Sequence, residues 1–372
     1  MMAAALEKLT SLAPRLKSLA LSGWQRINQL TQVDLKIFLP VFAGSLAFFV
    51  LLALLIPAPR PMDVSEEASS SHVRAGGTGE KHAENVPVSS RPFTDREKQA
   101  IATNDIPTRD PLTVAPVEAL EEGSGDTRLP KIADDGRRPW FVYSRPFDHL
   151  DPRPRISVVV ADLGLVRLIS ENAINDLPGP VTLIFNSDAS TNAWMARARN
   201  FGHEVLLSVP MEPFDYPAND PGPGTLLTSV TGEENVKRLQ NAMSKGTGYV
   251  GVTSLTGSHF TSSPEALKPV LTQAFSRGLL WYDARLVPLS SAYAVGQEMR
   301  MPSVRTDFRA TADKSRSALD AMFQDAETSA RHAGTVVVLV YPSPMSLQAI
   351  TDWAKTLPEK GFALAPITAM VE

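Results

Sequence analysis

From residue 156 onward, the chain alternates short apolar runs with amphipathic segments of helical spacing. The apolar runs of strand length are ISVVVADLG (156–164), VTLIFN (181–186), EVLLSVP (204–210), YVGVTS (249–254), LLWYDAR (279–285), SVRTDF (303–308), TVVVLVYP (335–342) and FALAPI (362–367). Segments between them, such as EENVKRLQNAMSK and PEALKPVLTQAFSRG, space their apolar residues three and four apart. Continuous apolar strands alternating with amphipathic helices predict a parallel sheet covered by helices.

Seven or eight strand–helix units in about 215 residues favour a distorted (β/α) barrel, with an open doubly wound sheet as the alternative. No GxGxxG follows the first strand, which disfavours a dinucleotide-binding fold. Helix boundary signals support this reading. Thr231 with Glu234 predicts a capping box, and Ser263-Pro264 and Ser343-Pro344 predict helix starts. The predicted helix ends are Gly202, Gly278, Gly334 and Gly361.

In a fold of this class, the reactive groups are expected directly after the strands. The polar residues at those places are Asp162, Asn186, Asp188, Ser208, Glu212, Thr253 to Ser258, Asp283, Arg285, Asp307 and Tyr341. The strand EVLLSVP also runs into a long polar loop, MEPFDYPANDPGPGTL. The sequence therefore predicts a cleft at the carboxyl ends of the strands, with this loop as one wall.

Composition limits the classes of function. The 372 residues include 20% charged residues and no cysteine, and the net charge is −4. An acidic balance gives no support to nucleic-acid binding. A thiol nucleophile, a disulfide framework and a cysteine zinc site are excluded because they need cysteine.

The first 57 residues predict a membrane anchor. Residues 37–56 carry no charge and are long enough to cross a bilayer as a helix, so we place an anchor at 37–57. Basic residues dominate the stretch before it, which predicts a cytoplasmic tail at 1–36 and an exported C-terminal part. The expected location is the inner membrane, with the C-terminal domain in the periplasm. A cleaved signal peptide is the alternative, but its apolar region is usually shorter.

Residues 58–137 are rich in Ser, Gly, Pro, Glu and Asp and show no sustained periodicity. Such a composition predicts a disordered linker, because too little apolar area is available to offset the ordering entropy. Four aromatic residues between 140 and 147 indicate that order returns there. We therefore predict one folded domain at 138–372.

Six segments of this domain, in chain order, read ISVVVADLGL, GHEVLLSVPMEP, DPGPGTLLTS, GYVGVTSLTGSHFTS, GLLWYDAR and VVVLVYPSP. Together they resemble the divergent polysaccharide deacetylase family. The resemblance implies a distorted (β/α) barrel from about Trp140 to the C-terminus. It also implies a divalent metal, usually zinc, held by an aspartate and histidines, with a carboxylate base that activates water.

The chain departs from that pattern at each expected histidine. By the resemblance, Asp162 matches the metal-binding aspartate, and Ala161 stands where the base is expected. Ser208, Leu255 and Tyr341 stand at the histidine positions. Serine and tyrosine are poor zinc ligands and leucine is none, so no metal and no cofactor are expected. Zinc remains expected only if the site is rebuilt from other residues.

The predicted cleft residues are Asp162, Ser208, Glu212, Asp220, Gly257, Ser258, Asp283 and Arg285. Asp162, Glu212 and Asp283 are the catalytic candidates among them. Asp162 is either a metal ligand or the N-cap of a helix beginning near Leu165. His259 is either a substitute ligand or a loop histidine. Asp283 with Arg285 predicts an ion pair that shapes the cleft or contacts sugar hydroxyls.

Three functions remain open at this point. The first is an inactive deacetylase-like domain that binds glycan, such as peptidoglycan, or a partner protein of the cell envelope. The second is an active metal-dependent deacetylase with a rearranged site. The third is an interaction module whose cleft plays no part. The missing ligands favour the first.

Overall fold

The computed structural model describes residues 92–105, 109–187 and 191–371, and these form a single unit. The predicted cytoplasmic tail (1–36), the predicted anchor (37–57) and the linker residues 58–91 lie outside the described residues. Among those that are described, no helix is long and apolar enough to cross a membrane.

The strands, in chain order, are β1 Glu121–Glu122, β2 Leu129–Pro130, β3 Arg155–Leu163, β4 Thr182–Asn186, β5 Val205–Ser208, β6 Gly251–Thr253, β7 Leu280–Asp283, β8 Ser303–Arg305, β9 Phe308–Ala310, β10 Thr335–Val340 and β11 Ala363–Leu364. The helices are α1 Asp95–Asp105, α2 Pro139–Val142, α3 Arg167–Asp176, α4 Thr191–Asn200, α5 Gly232–Met243, α6 Pro264–Ser276, α7 Ala292–Glu298, α8 Arg316–Ala333 and α9 Pro344–Thr356.

The central sheet has nine strands, all paired in parallel. Its order is β8-β7-β6-β5-β4-β3-β10-β9, and β11 pairs with the start of β3. The two outer strands of this order, β8 and β9, are separated by only two residues of the chain, so the sheet curls round on itself. The structure confirms the predicted α/β fold and fits a distorted barrel. The predicted strand SVRTDF (303–308) is divided in the structure, since β8 covers its first half and β9 starts at its last residue.

Both faces of the sheet are apolar. Side chains alternate along a strand, so Val158 and Val160 pack outward against the helices, and Val159 and Ala161 pack into the interior. Ile184, Leu206 and Tyr282 belong to the same inner core. Burial on two faces explains why the strands appear in the sequence as continuous apolar runs.

The helix boundaries follow the predicted signals with one difference. Ser263 and Ser343 cap α6 and α9, each followed by proline. Thr231 caps α5 by accepting the Glu234 N–H. The reciprocal bond of the predicted capping box is not formed there, because the Glu234 carboxylate accepts from Arg238 at 3.1 Å.

Part of the predicted linker is folded. Residues 109–154, here called the strap, pack along the barrel, and the fully buried side chain of Leu120 joins the inner core. The Arg199 guanidinium donates to the carbonyl of Thr113 at 2.7 Å. Helix α1 is tied down through Asn104, which donates to the Asp151 carboxylate at 3.0 Å. The predicted domain boundary at 138 is therefore wrong for the described residues 92–105 and 109–137. Isolated apolar residues, without any periodic pattern, hold this stretch in place.

The strap and the C-terminus meet at the amino end of the barrel around a buried carboxylate. Glu204 accepts from the backbone N–H of Arg145 at 2.8 Å, and from both the backbone N–H and the hydroxyl of Thr368. Burial raises the pKa of Glu204, although these hydrogen bonds favour its charged form. The strap and the C-terminal residues are thus held together around Glu204 at this end of the barrel.

Candidate functional site

Three polar side chains lie in register at the carboxyl ends of neighbouring strands. Asn186 on β4 pairs with Ser208 on β5, and Ser208 pairs with Thr253 on β6. Ser208 lies two residues after Leu206, which packs in the inner core, so the three side chains face the barrel interior. Ser208 and Thr253 are buried. They form a hydroxyl and amide layer at the top of the inner core.

Asp162 closes this layer on the β3 side. Its carboxylate accepts from the Asn186 side-chain amide at 2.7 Å. Its backbone is left-handed, with φ of 55°, where β3 has an irregular register against β4. Aspartate is among the residues that tolerate this conformation best. The alternative of a helix N-cap is wrong, because α3 starts at Arg167 and no side chain caps it.

Tyr341 and Leu255 are half-buried and pack against the inner core at the same end of the barrel. Burial raises the pKa of the Tyr341 phenol, the Arg309 guanidinium lowers it, and the Asp162 carboxylate raises it. These influences also place Arg309 and Asp162 in the neighbourhood of the phenol. Tyr341 therefore stays neutral at physiological pH and serves as a hydrogen-bonding group.

The polar loop after β5 is pinned through Glu212. The Glu212 backbone donates to the carbonyl of Leu226 and accepts from the N–H groups of His259 and Phe260. One carboxylate oxygen accepts from the backbone and hydroxyl of Thr228, and the other lies 3.2 Å from His259 Nδ1. Glu212 thus joins the β5 and β6 loops, as expected for a cleft wall.

The electrostatics of Glu212 follow from these contacts. Partial burial acts to raise its pKa, but the hydrogen bonds from Thr228 and the contact with His259 outweigh burial, so its pKa lies below the usual value. The imidazole of His259 also packs on the ring of Phe214, with 5.2 Å between ring centroids. Phe214 is 57% exposed, so the two rings form an aromatic rim beside the Glu212 carboxylate.

The loop after β6 lies directly against this wall. A Cβ on Gly257 would come within 2.6 Å of Met211 Cβ, so only glycine permits this close approach. The hydroxyl of Ser258 accepts from the backbone N–H of Phe214 at 3.1 Å. Asp220 is different, because it lies at the exposed tip of the loop, where its carboxylate accepts from the backbone N–H of Gly222. It shapes a turn and does not join the other predicted residues.

Asp283 organises the loop after β7 and does not form the predicted ion pair. Its buried carboxylate accepts from the backbone N–H of Arg285, from the Ser290 hydroxyl and from the Tyr293 N–H. Arg285 has a φ of 46°, which turns its own N–H back onto the carboxylate. Within the described residues, no ion pair joins Asp283 to the Arg285 guanidinium, so that prediction is wrong.

The sequence reasoning missed Thr228, Phe214 and Arg309. Thr228 directly follows DPGPGTLL, but no local signal shows that its backbone and hydroxyl both point at Glu212. Asp188 lies outside the described residues. The remaining predicted residues lie at the carboxyl end of the barrel, here called the mouth. They divide into two groups, one around Asp162 and Ser208 and the other around Glu212 and His259.

Comparison with known proteins identifies the family. The model of the family described as divergent polysaccharide deacetylase matches residues 158–371, more than half of the chain. The chain belongs to the divergent polysaccharide deacetylase family. The matched residues include every element that positions the mouth.

Three relatives show how far the likeness extends. A solved structure, the uncharacterized protein ATU2773 from Agrobacterium tumefaciens C58, has 34% sequence identity and a TM-score of 0.62, and covers 65% of this chain and 99% of that one. The uncharacterized protein YibQ of Escherichia coli K12 is 22% identical over 205 residues, which are 55% of this chain and 63% of YibQ. An uncharacterized protein of Haemophilus influenzae is 23% identical over 208 residues, 55% of this chain and 72% of its own. This chain therefore spans less than two thirds of YibQ.

The residues at the mouth do not match the ligand set that zinc needs. Asp162 is the only carboxylate in the layer formed with Asn186, Ser208 and Thr253, and its oxygen already accepts from Asn186. Over the described ranges, no group of three or more His, Asp or Glu side chains is placed to hold a metal ion. Protein zinc sites take at least three such ligands. The described residues at this end of the barrel therefore do not supply a zinc ligand set.

Proposed function

We propose that this chain is a membrane-anchored periplasmic member of the family that binds cell-envelope glycan, or a partner protein, without metal-dependent catalysis. The observation that carries the proposal is that the mouth keeps its loops but lacks the family's histidines. Ser208, Leu255 and Tyr341 take the strand ends where the family pattern has histidines, and the loop held by Glu212 is fully formed.

The side chains at the mouth suit carbohydrate hydroxyls. Asn186, Ser208 and Tyr341 are neutral side chains that can each donate and accept hydrogen bonds. Asp162 adds a carboxylate acceptor, and the exposed ring of Phe214 offers an apolar surface for a sugar ring. Peptidoglycan is the envelope glycan that we favour, and the exported location rests on the predicted anchor at 37–57.

One observation favours an active metal-dependent deacetylase as the second candidate. His259 Nδ1 faces the Glu212 carboxylate, which leaves Nε2 as the nitrogen available to a ligand. Metal-bound histidines in proteins commonly have their other nitrogen held by a carboxylate in this way. A rearranged site would then be built around His259 in place of the family's histidines.

A retention experiment tests the first candidate. The full chain is incubated with insoluble peptidoglycan, and the bound fraction is compared with that of Asp162→Asn and Tyr341→Phe. Asparagine also tolerates the left-handed backbone at 162, so the fold is kept. The matched control is Asp320→Asn, on an exposed turn of α8 where the side chain pairs with Arg316. We expect lower retention for both mouth variants and wild-type retention for the control.

The same samples separate the two candidates. Release of acetate from an N-acetylglucosamine oligomer, abolished by His259→Ala, would support the active enzyme. Retention that is unchanged in both mouth variants would refute binding at the mouth. Binding without acetate release, weakened by the mouth variants alone, is the result that we expect.

A further inference from the structure

Residues 303–310 run as one extended segment between β7 and β10, paired with each in turn. The first half, β8, pairs with β7, and the second half, β9, pairs with β10. The change takes place between two neighbouring residues. The Thr306 N–H donates to the carbonyl of Asp283, and the Asp307 N–H donates to the carbonyl of Val337, both at 2.9 Å.

Toward the amino end of this segment, the outer edge of β8 is left without a strand partner among the described residues. Pro302 and Thr306 bond to β7, so by alternation the backbone groups of Ser303 and Arg305 point away from it. On the other side, β9 pairs with β10 only from Val338 onward. In the part of the chain that the structure describes, no strand pairs with the outer edge of β8. Unpaired edges of this kind accept an added strand.

A cavity of about 730 Å³ lies between β8 and the start of β10. Its walls include residues of both strands, among them Ser303, Arg305, Thr335 and Val337, and its apolar side includes Trp140. Its volume lies within the range of about 300–1,000 Å³ that is common for ligand sites. Of the predicted cleft residues at the mouth, none lines it.

Among the described residues that line the cavity, positive charges outnumber negative ones. Arg300 and Arg305 both line it, and across the described residues neither forms an ion pair. The guanidinium of Arg305 lies over the ring of Tyr293, 5.1 Å from its centroid. The one carboxylate in the lining, Asp307, already accepts the Val337 N–H at 2.9 Å. Two guanidinium groups are thus available to an anionic ligand.

We propose that this cavity, here called the lateral gap, binds an extended acidic peptide. The peptide adds as a strand to the free edge of β8. Backbone groups of Ser303 and Arg305 pair with the peptide backbone, and Arg300 and Arg305 pair with its carboxylates. Strand addition supplies affinity through main-chain bonds, and charged side chains beside the edge supply selectivity. The site is independent of the function proposed for the mouth.

The test uses the full chain in mild detergent and a fluorescein-labelled, end-capped hexapeptide of alternating Glu and Val, followed by fluorescence anisotropy. The double variant Arg300→Asn with Arg305→Ala removes both charges. Asparagine suits position 300 because the backbone there has a φ of 54°. We expect saturable binding to wild type and binding weaker by at least about tenfold in the variant, equal to about 1.4 kcal/mol.

Two controls make the result specific. Arg309→Ala, on the other half of the same segment, should bind the peptide as wild type does, because Arg309 contacts the Leu286 carbonyl and does not line the gap. Alternate N-methylation of the peptide, tried in both registers, should abolish binding because it removes the N–H groups that strand pairing needs.

Three outcomes would overturn the proposal. They are no saturable binding at peptide concentrations up to about 1 mM, equal binding by wild type and the double variant, and equal binding of the N-methylated peptides. A galacturonic acid oligomer that binds as tightly as the peptide would also overturn it, because charge alone would then account for the site.

Discussion

His259 Nδ1 lies 3.2 Å from Glu212 Oε1, and the same carboxylate holds the backbone and hydroxyl of Thr228 through its other oxygen. One side chain therefore joins the loop after β5, the DPGPGTL turn and the loop after β6. The wall of the mouth depends on this carboxylate for its shape, whether or not the mouth performs chemistry.

Glu212→Gln should lower the free energy of unfolding by about 1–3 kcal/mol at pH 7, because charge-assisted hydrogen bonds are lost. The folded pKa of Glu212 is below its usual value of 4.5. Its contribution is therefore complete above about pH 4.5 and lost as the pH falls through the folded pKa. Urea unfolding at pH 7 and pH 3 should show a deficit that shrinks on acidification. The exposed Glu233→Gln is the control, and a deficit independent of pH would contradict this account.

The contribution of Glu121 to the free energy of unfolding should show the opposite pH dependence. Burial raises its pKa from 4.5 to about 7, although Arg128 opposes the shift. A raised pKa means that its stabilising contribution is complete below about pH 4.5 and lost as the pH rises through about 7. Glu121→Gln should therefore match wild type at pH 4 and exceed it by about 1–3 kcal/mol at pH 8. The exposed Glu118→Gln should show no such gain. Equal stabilities of wild type and Glu121→Gln at pH 8 would refute the burial of Glu121.

The strap should be needed for stability. A chain beginning at Arg138 lacks Leu120, which is buried in the inner core, and the Thr113 carbonyl that Arg199 contacts. Loss of one buried leucine and one charged hydrogen bond predicts a fall of at least about 3 kcal/mol in unfolding free energy, relative to a chain beginning at Pro92. Urea denaturation compares the two. Equal midpoints would show that the folded unit begins near residue 138, as the composition suggests.

The buried hydroxyl of Thr253 should not contribute to stability. Among the described residues, its Oγ1 has no hydrogen-bond partner. Thr253→Val should therefore leave the unfolding free energy unchanged or raise it by up to about 1 kcal/mol. Thr306→Val is the matched control, since the Thr306 hydroxyl bonds to the Tyr282 hydroxyl at 2.7 Å, and it should cost about 1–3 kcal/mol. A similar loss in both variants would show that Thr253 is paired within the fold.

The barrel is predictable because strands buried on both faces produce long apolar runs, and Val158 to Ala161 show the pattern without interruption. The positions of Asp162, Ser208 and Glu212 at one end of the barrel follow from the same rule, since parallel strands end at one edge. These features depend on local pattern, which the sequence contains directly.

What could not be predicted depends on single tertiary contacts. Composition predicts disorder at 92–137, but single apolar residues such as Leu120 and Ala133 reach the inner core. Asp162 lies in a local irregularity of β3 that separates it from the helix start, so it cannot act as the N-cap. Asp283 binds the Arg285 backbone because of a left-handed residue, which no residue-type rule anticipates for arginine. The lateral gap arises where SVRTDF changes its strand partner from β7 to β10. A change of strand partner does not alter the hydropathy pattern, so the sequence does not reveal it.

Zinc stoichiometry tests the central claim most directly. The full chain is purified without chelator or affinity histidines, equilibrated with micromolar zinc and examined by elemental analysis, beside Asp162→Ala and His259→Ala. We predict no bound zinc above background in any of the three, because Ser208, Leu255 and Tyr341 provide no ligands. About one zinc per chain, lost in Asp162→Ala or His259→Ala, would contradict the account and establish a rebuilt metal centre.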